Sequence, residues 1–268
     1  MIISQHKLHP SKRRGQNFLI SNATRDKIIE AIGLTSRDNV LEIGPGLGAL
    51  TERIVEIAGR VTAVEIDSGF FRYLAERYGK RKNFRLVHGD FLKVPVSESF
   101  TKIVSNLPYY CSSEMLFKIA QYDVAAVYVT LQKEMAQRII ARPGHSAYGA
   151  LSVTLGFYYV PEILFTVSRE VFYPRPGVTS SFLRLMRRAA FPLEGDDIDL
   201  FHRIVKSAFW GRRKTIRTAL SESPHLETGR KDTALILAQA GINGGTRGEE
   251  LGLEDYVRMV RAYKKIMQ

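Results

Sequence analysis

The run Asn106-Leu107-Pro108-Tyr109 carries groups suited to one kind of chemistry. An exocyclic amine on a nucleobase attacks poorly, because its lone pair is delocalised into the ring. Acceptors on the amine hydrogens, with an aromatic face that holds the flipped base, make attack easier. Asn106 Oδ1 and a nearby main-chain carbonyl can supply the acceptors, Pro108 fixes φ and stiffens the turn, and Tyr109 can stack on the base. A second group of residues suits a nucleoside ligand. Glu42-Ile43-Gly44-Pro45-Gly46-Leu47-Gly48 is a glycine-rich turn through which backbone can approach a ligand closely. Glu65 follows Gly44 by 21 residues and can accept from both hydroxyls of a ribose. Asp90 can accept from an adenine amino group, whereas Asp67 reads as a solvated strand-end acid. NAD-binding proteins use a similar turn. Here the third glycine of that pattern falls on Ala49, small enough that NAD stays open as a ligand.

These residues need a scaffold that brings their segments together. Val40–Ile43, Val61–Val64, Phe84–Val87, Ile103–Ser105 and Ala125–Leu131 are short apolar runs. Helix-like stretches over 47–58 and 70–78 lie between the first three, and 22–33 precedes them with Gly33 as its C-cap. Alternation of this size predicts an α/β fold, a Rossmann-like doubly wound parallel sheet with helices on both faces. Each of the four site segments then lies at a strand's carboxyl end, where such sheets bind ligands. Residues 151–159 and 162–168 read as a hairpin around Pro161 at the sheet edge. After Leu185 only helix-like stretches remain, over 198–220, 231–240 and 253–267. Two domains are expected: 1–185 with the sheet and a basic N-terminal arm, and an all-helical RNA-binding domain over 186–268.

Composition narrows the partner. The chain has 268 residues, with 39 Lys+Arg against 27 Asp+Glu, a net charge of +12. The first 25 residues carry five basic side chains and no acid, and 201–220 carries six and no acid. Between them the balance is nearly even. Such basic stretches grip phosphates, so Arg13, Arg14, Arg212, Arg213, Lys214 and Arg217 are expected to bind RNA. Cys111 is the only cysteine, which excludes an internal disulfide and a cysteine-built zinc site. It reads as a small packing residue. The six histidines lack metal-ligand spacing, and no metal is expected. No apolar run is long enough to span a membrane, and neither a secretory signal nor a mitochondrial transit peptide is expected.

The motifs together resemble the KsgA/Erm family of ribosomal RNA adenine N6-dimethyltransferases over nearly the whole chain. Gly15-Gln16-Asn17-Phe18-Leu19 is similar to the family's N-terminal signature, Glu42 to Gly46 to its cofactor loop and Asn106 to Tyr109 to its catalytic loop. Further blocks in order are Leu131–Glu134, Tyr148–Val153, Phe172–Pro176 and Arg212–Arg217. The last of these, with the helical domain holding it, is more like the KsgA branch than the Erm branch.

The resemblance implies S-adenosylmethionine as cofactor, held by Gln16, Asn17, Leu19, Gly44, Gly46, Glu65, Asp90 and Asn106. It implies that Tyr109 stacks on one face of the target adenine and Phe172 on the other, with Asn106 and the Leu107 carbonyl orienting the amine. It further implies N6,N6-dimethylation of adenines in small-subunit (16S) ribosomal RNA, linked to 30S maturation, by a cytoplasmic monomer. Three rivals stay open: an Erm-like enzyme acting on 23S RNA and giving macrolide resistance, a non-catalytic assembly factor, and an NAD-dependent enzyme. Tyr110-Cys111 departs from the family pattern, which usually has smaller or polar residues there.

Overall fold

A computed structural model describes residues 16–211 and 213–267. Arg13, Arg14 and Arg212 lie outside them. The chain opens with a two-residue strand β1 (Phe18–Leu19) and helix α1 (Asn22–Ile32). Ser21 Oγ caps α1 by accepting from the Thr24 N–H at 3.2 Å, and Gly33 ends it in a left-handed conformation, as its sequence predicts. Then come β2 (Asn39–Ile43), α2 (Ala49–Ile57), β3 (Arg60–Glu65), α3 (Ser68–Tyr78), β4 (Phe84–His88), β5 (Lys102–Asn106), α4 (Ser112–Ala120), β6 (Ala126–Gln132), α5 (Lys133–Ile140) and α6 (Ala150–Tyr158). After these lie β7 (Tyr159–Val167), β8 (Phe172–Tyr173), β9 (Ser180–Arg187), α7 (Asp196–Ala208), α8 (Ile216–Glu222), α9 (Arg230–Gln239) and α10 (Leu253–Met267).

One sheet runs in the order β4-β3-β2-β5-β6-β9-β7. Its first five strands are parallel, and β9 runs antiparallel to β6. Val40, Leu41, Val61, Ala63, Ile103, Val104, Val127 and Val129 are all buried. That is why the parallel strands read as unbroken apolar runs rather than alternating ones. The chain winds outward from β2 to β4, then crosses back to place β5 on the other side of β2. This reversal opens a crevice at the carboxyl ends of β2 and β5. The register sets Ile43 opposite Ser105, so the glycine turn and Asn106 leave the sheet at one level.

The α/β expectation and the helical C-terminal region both hold, and two local readings are corrected. Residues 150–158 are a helix, not the first arm of a hairpin. Nearly every side chain of α6 is buried, so its sequence is apolar all round and shows no helical period. The second arm is a strand, β7, and it does lie at the sheet edge. The predicted helix over 198–220 is two helices, parted at a turn where Gly211 has φ +94° and Thr215 caps α8. β9 and the small β1–β8 ribbon carried no clear sequence signal.

The chain divides into two compact units. One comprises the chain up to Ala136 with Pro161–Arg187, and the other Gln137–Val160 with the chain from Arg188 onward. The later boundary falls beside the expected one at 185/186, but Gln137–Val160 joins the helical unit. Its aromatic side chains explain this: Phe157 stacks on Phe191 (5.7 Å) and packs against Phe201 (4.6 Å), and the Tyr158 hydroxyl bonds His202 Nε2 at 2.8 Å.

Asp38 pins the entry to β2. Its carboxylate accepts from the Thr35 N–H (2.7 Å), Thr101 Oγ1 (2.8 Å) and Lys102 Nζ (3.0 Å). Burial alone would raise this carboxyl, but the bonds from Lys102, Thr35 and Thr101 outweigh it and hold the pKa below the ordinary carboxylate range. The folded state therefore gains stability above the unfolded pKa and loses it as the pH falls through the folded one. Asp38→Asn should cost about 2 kcal/mol near neutral pH, seen as a lower urea midpoint. The gap between variant and parent should close in acid.

Candidate active site

Residues from three strand ends and the N-terminal segment line one cavity in the first unit: Gln16 to Leu19, Glu42, Gly44 to Leu47, Glu65 and Asn106 to Tyr110. Of the expected cofactor residues, Gln16, Asn17, Leu19, Gly44, Gly46, Glu65 and Asn106 all lie on it, as do Leu107, Pro108 and Tyr109. Gly46 has φ +56°, and a Cβ there would stand 2.7 Å from the Phe18 ring. Only glycine leaves room between the turn and the N-terminal segment.

Glu65, at the end of β3, is 3% exposed. Its Oε2 accepts from the Gly46 N–H at 3.0 Å and its Oε1 from the Asp67 N–H at 2.8 Å. The carboxylate is thereby pinned to the glycine turn. Each oxygen keeps lone-pair capacity for a further donor, such as a ribose hydroxyl.

Asn106 closes the opposite wall. Its Nδ2 donates to the Asn17 carbonyl at 2.7 Å. A carbonyl oxygen only accepts, so this bond fixes which end of the amide is nitrogen and leaves Oδ1 as the acceptor end. Ser105 Oγ, one residue earlier, donates to the Ile43 carbonyl at 2.7 Å and ties the root of the Asn106–Tyr109 loop to the root of the glycine turn. The Leu107 N–H is held by the Thr130 carbonyl (3.0 Å), and the Pro108 carbonyl accepts from Ser112 Oγ (2.8 Å). The Tyr109 hydroxyl and Ser180 Oγ lie 2.6 Å apart, which fixes the ring, and burial pushes its pKa upward.

Two expected residues do not line the cavity. Asp90 stands two residues beyond β4, and its Oδ1 accepts from the Leu92 N–H at 2.9 Å, closing a turn. Lys118 Nζ, from α4, donates to the Phe91 and Val94 carbonyls and clamps that turn. Phe172 is 3% exposed and pairs with Leu19 in the β1–β8 ribbon, within the hydrophobic core beside Phe18. Among the basic residues, Arg213 and Arg217 are exposed, while Lys214 Nζ is paired with Glu222 at 2.9 Å.

Glu42 was visible in the sequence only as part of a motif, yet it is a buried acid on the cavity wall, 2% exposed. A lone acid inside the apolar run Val40-Leu41-Glu42-Ile43 was the signal. Its Oε2 has no hydrogen-bond partner among the described residues. Burial pushes the carboxyl up to about 8, with Thr51 acting against this and the Glu65 carboxylate adding to it. Burial raises Glu65 as well. Two buried carboxyls, one of them with an oxygen unpartnered among the described residues, suit a ligand that carries positive charge and ribose hydroxyls. S-adenosylmethionine, with its sulfonium and ammonium groups, has both.

The sign for Glu42 is opposite to that for Asp38. A raised folded pKa gives stability that is full below the unfolded value and is lost as the pH rises through about 8. In the cofactor-free protein, Glu42→Gln should gain about 2–4 kcal/mol at pH 9 and change little at pH 5. Thermal melts at the two pH values check this.

Known proteins agree with the geometry. The ribosomal RNA adenine dimethylase model matches residues 7–265. The chain is 39% identical, over 98% of its length and 94% of the relative's, to the ribosomal RNA small subunit methyltransferase A of Pelotomaculum thermopropionicum. Among solved structures, a dimethyladenosine transferase from Plasmodium falciparum superposes with a TM-score of 0.80 at 25% identity, covering 93% of this chain and 98% of that one. The 23S rRNA methyltransferase ErmE gives a TM-score of 0.67 at 29% identity, covering 94% and 100%. With the family's match running almost end to end and its cofactor and catalytic loops meeting at one cavity, this chain belongs to the ribosomal RNA adenine dimethylases.

Proposed function

We propose that the chain dimethylates N6 of adenines in small-subunit (16S) ribosomal RNA, as a cytoplasmic monomer without a metal, at a step of 30S maturation. The observation that carries the reaction is the Asn106 amide, oriented by the Asn17 carbonyl so that its oxygen is the free end. When bound, S-adenosylmethionine supplies a methyl group on a positively charged sulfur. Glu65 holds the ribose hydroxyls, Gly44 and Gly46 let backbone close on the methionine end with Gln16 and Asn17, and Leu19 packs against it. Glu42 offsets the positive charge. Asp90, which stands off the cavity, would accept from the cofactor's adenine amine, its Oδ1 being held in the turn that Lys118 clamps.

Asn106 Oδ1 and the Leu107 carbonyl accept the two hydrogens of the target amine and turn its lone pair toward the methyl group. Tyr109, fixed through Ser180, supports one face of the base. Phe172 is the residue proposed for the other face, and its side chain stands buried in the β1–β8 ribbon. Most of the catalysis is positioning, and the amine proton leaves after transfer. After the first transfer the amine keeps one hydrogen, so one acceptor still orients it while the other must face a methyl group.

The choice of the small subunit rests on the curated relatives named for it, and on the basic surface of the helical unit. Supplying labelled S-adenosylmethionine with unmethylated 30S particles, 50S particles and free RNA, followed by nucleotide mapping, tests it. Label confined to 50S RNA overturns the small-subunit assignment in favour of the 23S reading. Asn106→Ala should lower turnover on the order of a hundredfold or more, and wild-type rates in that variant would remove the amine-orienting role. Arg213→Ala should weaken RNA binding across sequences and reduce its salt slope by about 1, measured by filter binding at several salt concentrations.

A further inference from the structure

Trp210 is the only tryptophan in the chain, and it is 43% exposed. It follows α7, whose last turn extends past the helix through the Trp210 N–H bond to the Ser207 carbonyl at 3.0 Å. Arg203 and Lys206 precede it at helical spacing, and both are exposed. Gly211 then turns the chain with φ +94°, and the Lys214 side chain lies across it, 3.1 Å from where a Cβ would stand. Arg213 is exposed beyond that turn. Among the described residues, no acid pairs with Arg203, Lys206 or Arg213. The one nearby carboxylate in the ion pairs, Glu222, is shared between Lys214 and Arg230.

The indole is held in place. The His225 ring stands perpendicular to it, with centroids 5.4 Å apart and planes at 89°. One perpendicular neighbour can cover at most one face of the indole. A large aromatic ring, braced and partly open to water amid cations, does not suit an apolar protein partner. Charged flanks would have to be desolvated there. It suits a nucleic acid, whose phosphates meet the cations while an unpaired base meets the ring. A helix end fits a duplex poorly in this respect, since paired bases offer no open face.

Resting on the reading of RNA as substrate, we infer that Trp210 is a stacking platform for an unpaired base of the RNA, flanked by phosphate contacts at Arg203, Lys206 and Arg213. This site lies in the helical unit and is separate from the base pocket at Tyr109. Its role is to favour RNA with an exposed, unstacked nucleotide. Bracing by His225 reduces the ordering cost of binding.

Because Trp210 is the sole tryptophan, its emission reports this site alone. The test titrates the full-length protein with an RNA hairpin bearing a single-stranded loop and, separately, with a fully paired duplex of equal length. Binding is followed by filter retention as well as by fluorescence. The hairpin should quench Trp210 at saturation and the duplex should not. Trp210→Ala should weaken hairpin binding about tenfold and leave duplex binding within about twofold. Trp210→Phe should recover much of the loss, and unchanged melting temperatures show that both variants fold. The inference is overturned if the hairpin saturates the filter assay without quenching, or if Trp210→Ala binds both RNAs like the parent. Quenching by 30S particles but not by protein-free RNA also overturns it, since the partner is then a protein. Failure of the small-subunit assignment would appear instead in the methyl mapping, with these binding results unchanged.

Discussion

The pairing of β2 with β5 fixes the distance between the two halves of the chemistry. Ile43 lies opposite Ser105, and the Ser105 hydroxyl bonds the Ile43 carbonyl at 2.7 Å. The glycine-rich turn begins one residue beyond Ile43, and the Asn106–Tyr109 loop one residue beyond Ser105. A slip of one residue in that pairing would send every side chain of the strand to the opposite face. It would also part Asn106 from Asn17. Burial of both strands on each side makes such a slip costly, so the apolar core sets the precision of the polar site.

Charge is placed in this cavity against the grain of burial. Glu42 and Glu65 are both nearly inaccessible, and burial raises both carboxyls. Glu65 is compensated by two main-chain N–H groups, whereas Glu42 keeps an unpartnered oxygen. An unsatisfied buried oxygen costs about 1–3 kcal/mol. A donor or a positive charge placed at that oxygen would relieve the penalty. Asp38 shows the contrasting use of a carboxylate, fully satisfied and purely structural.

The parallel core and its site were legible because their signals are local. Four buried strands read as apolar runs, the edge strand β4 keeps Phe84, Leu86 and Val87 as its signal, and glycine, proline and asparagine mark the turns that end them. Helix α6 was not legible, because it is buried on nearly all sides and Val153, Thr154, Phe157 and Tyr158 suit a strand equally well. The break between α7 and α8 was signalled by Gly211, but the basic residues around it read as continuing a helix. Phe172 and Asp90 show a different limit. Sequence gives a residue's place beside a strand end, but not whether its side chain faces the cavity, the core or its own turn. Ser180 and Lys118, which hold Tyr109 and the Asp90 turn, come from distant segments and leave no local trace.

The excursion of Gln137–Val160 into the helical unit has a consequence for how the molecule is made. During synthesis the sheet unit cannot finish before the chain has passed through a segment that belongs elsewhere. β8 and β9 follow that segment in sequence, and β7 begins within its last two residues. Ser180, which anchors Tyr109, emerges still later than α6. Until β9 has been synthesised, the edge of β6 that it covers lacks its partner. The two units are interleaved along the chain, and no single cut yields either one whole.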